Sequence, residues 1–268
     1  MHFDIITIFP QFFDGPFRFG VLGRALESGR VQLGIHSLRE FTEDRHKTVD
    51  DRPFGGGEGM VLKPEPLFRA VESLGMPEKT VRDTARERVV LLSPQGSRFN
   101  QKLAREMVGL ERLVFLCGRY EGVDERVNDF LADMEISIGD YVLSGGELAA
   151  AVVIDSITRL LPGVLGNKQS ARNESFGSDE ASTSAPGPNG PPTSTCDSLG
   201  LLDYPHYTRP PHFRDYRVPA VLSCGNHEEI RRWRRERALA KTLRNRPELL
   251  TEADLSHEDR RILERLQG

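Results

Sequence analysis

Three short stretches of the sequence join small residues to groups able to touch a ligand: Ser93-Pro94-Gln95-Gly96, Gly118-Arg119-Tyr120-Glu121-Gly122 and Ser137-Ile138-Gly139-Asp140-Tyr141-Val142-Leu143-Ser144-Gly145-Gly146. Each follows a strand-like run. Glycine leaves the main chain bare, so a ligand can approach its N–H and C=O groups. Turns of this kind at the carboxyl edge of an open α/β sheet are where such sheets hold cofactors. The three turns predict one ligand site, with Arg119, Tyr120 and Glu121 lining it or capping the next helix. A second chemistry sits near the carboxyl end, where Arg231, Arg232, Arg234, Arg235, Arg237, Lys241, Arg244 and Arg246 crowd one predicted helix around Trp233, the only tryptophan. Guanidinium forks match phosphate oxygens, so this cluster predicts contact with an RNA or DNA backbone; a solvated helix face is the alternative.

Other features carry less. Asp50 to Met60 contains Gly55-Gly56-Gly57 but lacks the GK[ST] ending of a phosphate-cradling loop, which leaves a mobile connection or a flexible loop over a site. Arg159 falls in the last turn of a predicted helix before Pro162, where the helix dipole favours a cation without any function. Glu174 is, from position alone, an ordinary surface acid. His206, His212 and His227 lack metal-ligand spacing, and the three cysteines, Cys117, Cys196 and Cys224, form no CxxC pair. A reducing cytoplasm fits that cysteine usage.

The elements that position these groups follow a βα rhythm. Strands are predicted at 3–8, 31–36, Val89 to Leu92 (ending at Ser93-Pro94), Leu113 to Leu116 and Met134 to Ile138. Helices are predicted at Phe12 to Leu26, Phe99 to Leu110, Glu125 to Leu131 and Glu147 to Leu161. Ser144 and Glu147 have the spacing of a capping box for the last of these. The fold class is thus α/β, with a parallel sheet in an N-terminal domain over 1–166. From Gly177 to Ser198 the residues turn to Ser, Thr, Pro, Gly and Asn, which predicts a flexible linker or lid within 167–198. A small helical C-terminal domain follows at 199–268, in which Asn226 with Glu229 caps the arginine-bearing helix.

At 268 residues the chain is long enough for two domains, and 38% hydrophobic with 28% charged residues describes a soluble protein. The net charge of -4 excludes a uniformly basic nucleic-acid binder and throws weight on the local cluster. No apolar run is long enough to span a bilayer, and the N-terminus lacks the features of a secretory signal, so no membrane partner is expected.

The ordered motifs Phe3-Asp4-Ile5-Ile6-Thr7-Ile8-Phe9-Pro10, Asp50 to Met60, Leu92 to Gly96, Cys117 to Gly122, Ile138 to Glu147, Pro162 to Gly166, Leu201 to Pro210, and Ser223 to His227 with Trp233-Arg234 resemble the bacterial tRNA (guanine-N1)-methyltransferase family, knotted enzymes of the SPOUT type. The resemblance covers nearly the whole chain. It implies a deep trefoil knot near the three glycine turns, against the usual rule that chains are not knotted. It implies S-adenosylmethionine held by Ser93, Pro94, Gly96, Gly118, Tyr120, Ile138, Gly139, Asp140, Tyr141, Val142, Leu143 and Gly145. It further implies a homodimer whose site spans both subunits, Mg2+ with Glu121 as a contact, and a cytoplasmic tRNA substrate methylated on the guanosine 3′ of the anticodon. In that chemistry Glu174 is the carboxylate base and Arg159 stabilises charge on O6; Asp203 is the fallback carboxylate. Two departures stand out. The family's base is usually an aspartate before Ser-Phe, where this chain has Glu174-Ser175-Phe176, and the insertion 177–198 replaces a junction of a few residues. The rival expectations are a catalytically silent RNA-binding protein of the same fold, and a knotted methyltransferase acting on another RNA nucleotide.

Overall fold

Branched and aliphatic residues in unbroken runs favour strands buried on both faces. Five such runs become β1 (His2–Thr7), β2 (Gln32–Ser37), β5 (Glu87–Arg98), β6 (Arg112–Cys117) and β7 (Met134–Ser137). The computed structural model describes residues 1–166, 174–177 and 200–267, so the predicted linker and insertion, except at 174–177, lie outside the described residues. The chain divides into two units, Met1–Gly166 and Asn167–Gly268.

In the first unit the five strands form one parallel sheet, ordered β2-β1-β6-β5-β7. The period of two along a strand sorts the core. Leu113 and Phe115 of β6 join Phe3, Ile5, Val90 and Leu92 on one face, whereas Val114 and Leu116 join Ile6, Val89 and Leu91 on the other. The first face is covered by α1 (Gly20–Glu27), α3 (Gln101–Val108) and α5 (Glu147–Thr158), through Leu22, Met107, Val153 and Ile157. Helices α2 (Pro64–Ser73) and α4 (Glu125–Phe130) cover the second through Leu67, Val71 and Val127. Short strands β3 (Asp50–Asp51) and β4 (Val61–Leu62) pair antiparallel at the base of the glycine loop. One acid is buried in the sheet: Asp4, 1% exposed, meets His36 at 2.7 Å and Arg112 at 2.8 Å. Burial alone would raise its pKa, but the hydrogen bonds of His36 and Arg112, and the charges of Arg112 and His2, hold it below the ordinary value.

Three local expectations are corrected. The helix predicted over Phe12 to Leu26 is two pieces, a 3-10 turn at Pro10–Asp14 and α1, because Gly15-Pro16 interrupts it and Gly20 takes a positive φ of 69°. Strand β5 does not end at Ser93-Pro94. It bulges between Leu92 and Ser97 and resumes pairing with β7 through Ser97 and Arg98. Ser144 does not cap α5: the N-cap is Gly146, without a side-chain cap bond, and Glu147 turns into the protein.

The second unit contains a hairpin of β8 (His212–Phe213) and β9 (Tyr216–Arg217), then α6 (His227–Asn245), α7 (Leu249–Glu252) and α8 (His257–Gln267). Leu201, Leu239 and Leu263 form its small core. Asn226 caps α6 by accepting from the N–H groups of Glu228 and Glu229, while the Glu229 carboxylate lies 3.7 Å from the Cys224 sulfur.

Candidate functional site

Parallel strands all run toward one carboxyl edge, and in this sheet β6 and β7 empty there into the second and third glycine turns, while the first is the bulge within β5. The three turns enclose a cleft of about 240 Å3. Leu91, Leu92, Ile136 and Ala149 give it an apolar floor, and residues of the three turns make up most of the rest of its lining. Of the residues expected to hold a cofactor, Ser93, Pro94, Gly118, Tyr120, Ile138, Gly139, Tyr141, Val142, Leu143 and Gly145 line it, as does Glu121. Gly96 and Asp140 do not. A Cβ on Gly96 would meet the Glu135 carbonyl oxygen at 2.6 Å, so that glycine lets the bulge pack on β7. Asp140 pairs instead with Arg98 on the exposed side.

The turns are ordered from within. Tyr120 holds a positive φ of 58°, and the Gly122 N–H donates to the Arg119 carbonyl at 3.0 Å. Burial raises the Tyr120 hydroxyl's pKa first, aided by its hydrogen bond and charge interaction with Asp50. In the third turn Ser137 Oγ accepts from the Gly139 N–H at 3.2 Å, and the Tyr141 hydroxyl donates to the Ile138 carbonyl at 3.2 Å. The loop from Asp50 to Met60 reaches the same edge: the Glu121 N–H donates to the Met60 carbonyl at 3.0 Å, and a Cβ on Gly59 would run into the Glu121 side chain. This joins two motifs that the sequence left separate.

Several neighbours escaped the sequence reading. Glu125 and Asn128 of α4 line the cleft because that helix starts directly after the second turn, a signal present in the chain order. Glu147 is 1% exposed; it accepts from Thr7 Oγ1 at 2.6 Å and pairs with Arg119 at 2.9 Å. Nothing local foretold that bond, whose partners lie 140 and 28 residues away. Beneath it, burial and then the Glu147 charge push the Cys117 thiol well up, so that group stays protonated and inert.

Arg159 is the C-cap residue of α5, half-buried, its N–H donating to the Asp155 carbonyl at 3.1 Å; it is not among the cleft-lining residues. Glu174 lies in the second unit, in a turn where the Gly177 N–H donates to its carbonyl at 3.0 Å. Also there, Ser175 Oγ accepts from the Asp203 N–H at 3.0 Å, and Asp203 meets His206 at 2.8 Å. Among the described residues no group of three or more His, Cys, Asp or Glu could hold a metal ion, and no helix is long and apolar enough to cross a membrane.

The arginine helix is less uniform than its sequence. Arg235 turns inward to Asp259 at 2.7 Å, and Arg234 stacks over Tyr204 at 4.8 Å. Arg232 pairs with Glu228 at 2.7 Å, whereas Arg237 lies 5.7 Å over the Trp233 ring. Arg231, Arg237, Arg244 and Arg246 are exposed. Carboxylates outside the run, at Glu228, Glu248 and Asp259, therefore neutralise part of the cluster that the sequence showed.

Comparison with known proteins supplies independent findings. The profile of the family described as tRNA (Guanine-1)-methyltransferase TrmD matches residues 1–252. A protein of Koribacter versatilis (strain Ellin345) named tRNA (guanine-N(1)-)-methyltransferase is 58% identical over 268 residues, covering 100% of this chain and 99% of its own. Proteins with the same name from Moorella thermoacetica and Geobacter sulfurreducens are 50% and 48% identical, covering 99% and 100% of this chain and 96% and 98% of their own.

Proposed function

This chain belongs to the tRNA (guanine-1)-methyltransferase family, and from that membership we propose that it transfers a methyl group from S-adenosylmethionine to N1 of the guanosine 3′ of the anticodon in tRNA. The observation that carries the reading is the cleft closed by three turns at the carboxyl edge of a parallel sheet. Its chemistry fits the donor. The apolar floor of Leu91, Leu92, Ile136 and Ala149 suits the face of an adenine ring. Bound there, the donor supplies a sulfonium methyl whose C–S bond breaks as the new N1–C bond forms.

This chain's own residues must do the rest. Guanine N1 carries a proton and is a weak nucleophile until that proton leaves, a task we assign to the Glu174 carboxylate. Charge then builds on O6, where the Arg159 guanidinium stabilises it as an oxyanion-hole donor would. Glutamate in place of the usual aspartate keeps the carboxylate and adds one methylene. The target base has to leave its stack to be reached, and the exposed arginines Arg231, Arg237 and Arg244 are assigned to the tRNA backbone. Glu121 offers one carboxylate, which suits Mg2+ only where substrate supplies further oxygen ligands, so no step is assigned to the ion.

The knot and the dimer belong to the same proposal. A knotted path is supported by the way the third turn folds back on the second: Gly145 bridges Arg119, and the Gly146 N–H donates to the Gly118 carbonyl at 2.9 Å. A subunit interface is supported by Leu148 and Val152, one turn apart on α5 and 50% and 45% exposed. A cytoplasmic site of action follows from the substrate.

Incubating the purified protein with labelled S-adenosylmethionine, Mg2+ and unmodified tRNA, then mapping the methylated nucleoside by mass spectrometry, tests the reaction. Methyl on N1 of the guanosine 3′ of the anticodon is expected; methyl elsewhere, or none with both ligands bound, overturns it in favour of another target or a silent RNA-binding protein. Glu174→Gln should lower kcat by roughly 10²- to 10⁴-fold with tRNA binding intact, and unchanged turnover would remove Glu174 from the mechanism.

A further inference from the structure

The carboxylate of Glu147 has no task in the proposed reaction, yet it is the most enclosed acid beside the cleft. Its side chain is 1% exposed and is held by the Thr7 hydroxyl at 2.6 Å, by Arg119 Nε at 3.1 Å and by Arg119 Nη2 at 2.9 Å. We propose that Glu147 and Arg119 are a positioning pair that sets the spacing between the second and third turns, and through them the grip on the methyl donor; the donor part of this inference rests on the function proposed above.

The geometry argues for positioning over a general contribution to stability. Arg119 lies between Gly118 and Tyr120, both of which line the cleft, while Glu147 follows Gly145 and Gly146, which line its other side. The ion pair therefore ties one turn directly to the other. A Cβ on Gly145 would meet Arg119 Cδ and Cζ at 2.6 Å, and one on Gly146 would meet Cys117 Cα at 2.8 Å. Both glycines admit the guanidinium and the second turn, and that close approach explains their lack of side chains without any ligand. The Arg119 guanidinium also lies 4.6 Å over the Phe9 ring, which fixes its plane. A planar fork clamped on one carboxylate fixes direction as well as distance. An acid in the first turn of a helix gains from the dipole wherever it points, but the dipole alone needs neither burial nor a partner in another turn. Buried pairs of this kind add little net stability compared with apolar packing, so stability is a poor reason for one here.

Glu147→Gln keeps the shape and the hydrogen bond from Thr7 while removing the charge that holds the fork. In the full-length protein, hydrogen exchange at the Gly146 amide is expected to quicken about tenfold, with S-adenosylmethionine affinity by calorimetry weakening about tenfold and KM for tRNA unchanged. Arg119→Lys should show the same signature, because an ammonium is a point donor and cannot reproduce the fork, and it serves if Glu147→Gln does not fold. A lowered melting temperature with unchanged donor affinity and unchanged Gly146 exchange in the folded protein would overturn the proposal. A wild-type protein that binds no S-adenosylmethionine would refute the donor assignment instead, and Gly146 exchange would still decide whether the pair couples the turns.

Discussion

Gly96 invites two explanations that one substitution separates. In Gly96→Ala the new methyl group would sit 2.6 Å from the Glu135 carbonyl oxygen and closer still to the Glu135 carbonyl carbon and the Ile136 nitrogen. These are main-chain atoms of the neighbouring strand, so no side chain can swing away. Either the bulge between Leu92 and Ser97 opens or the β5–β7 ladder breaks. Overpacking of this sort costs about 1–3 kcal/mol, and an unyielding backbone places it near the upper end. At ~2–4 °C per kcal/mol for a protein of this size, the melting temperature should fall by roughly 6–12 °C. Gly15→Ala is the control: nothing lies within 4 Å of its Cβ and φ is −99°, so its change should stay within ~0.5 kcal/mol. Thermal melts by circular dichroism at matched scan rates read the difference, and calorimetry at 25 °C reads donor affinity where all three proteins are folded. A Gly96→Ala protein that melts with wild type but no longer binds S-adenosylmethionine would refute the packing explanation and return Gly96 to the ligand.

Asp259→Ala should cost about 3 kcal/mol, because it strands the mostly buried Arg235 guanidinium and removes the carboxylate that accepts from Ser256 at the start of α8; hydrogen exchange should rise in α6 and α8 and leave the parallel sheet unchanged. Acid should weaken the protein through Asp4 and Asp259. Burial opposes the charge of each, but hydrogen bonds from His36 and Arg112, and from Arg235 and Ser256, hold both pKa values below the ordinary one. The stability they add is therefore complete above the unfolded value of about 3.9 and is lost as pH falls through the folded values. Melting temperature should be flat in this respect above pH ~5 and drop below ~4, and the drop should shrink in Asp259→Asn.

What the sequence made legible was local. Strand-like runs located β1, β2, β6 and β7 to within about two residues, and the small residues after them located the cleft's edge, because a run of branched residues and a glycine each act on their own backbone. What it concealed was set by partners distant in the chain. The Ser144 and Glu147 spacing satisfied a capping rule, yet Glu147 is drawn inward by Thr7 and Arg119 and the cap passes to Gly146. Strand β5 outlasted Ser93-Pro94 because, beyond the bulge, Ser97 and Arg98 find Ile136 and Ser137 of β7 to pair with. The arginine helix looked unopposed because Asp259 stands 24 residues after Arg235.

The glycines show why a motif can point to a cleft for an incomplete reason. Bare backbone suggested amides free to bind a ligand, but the N–H groups of Gly122, Gly139 and Gly146 are spent inside the protein, on Arg119, Ser137 and Gly118. Three of the small residues are required by close packing: Gly96 against β7, Gly145 against the Arg119 guanidinium and Gly146 against Cys117. Gly122 is different. Nothing lies within 4 Å of its Cβ and φ is 130°, so conformation alone demands glycine there. The cleft therefore owes its shape to contacts among the turns themselves, which leave Tyr141 and Val142 exposed along its lining.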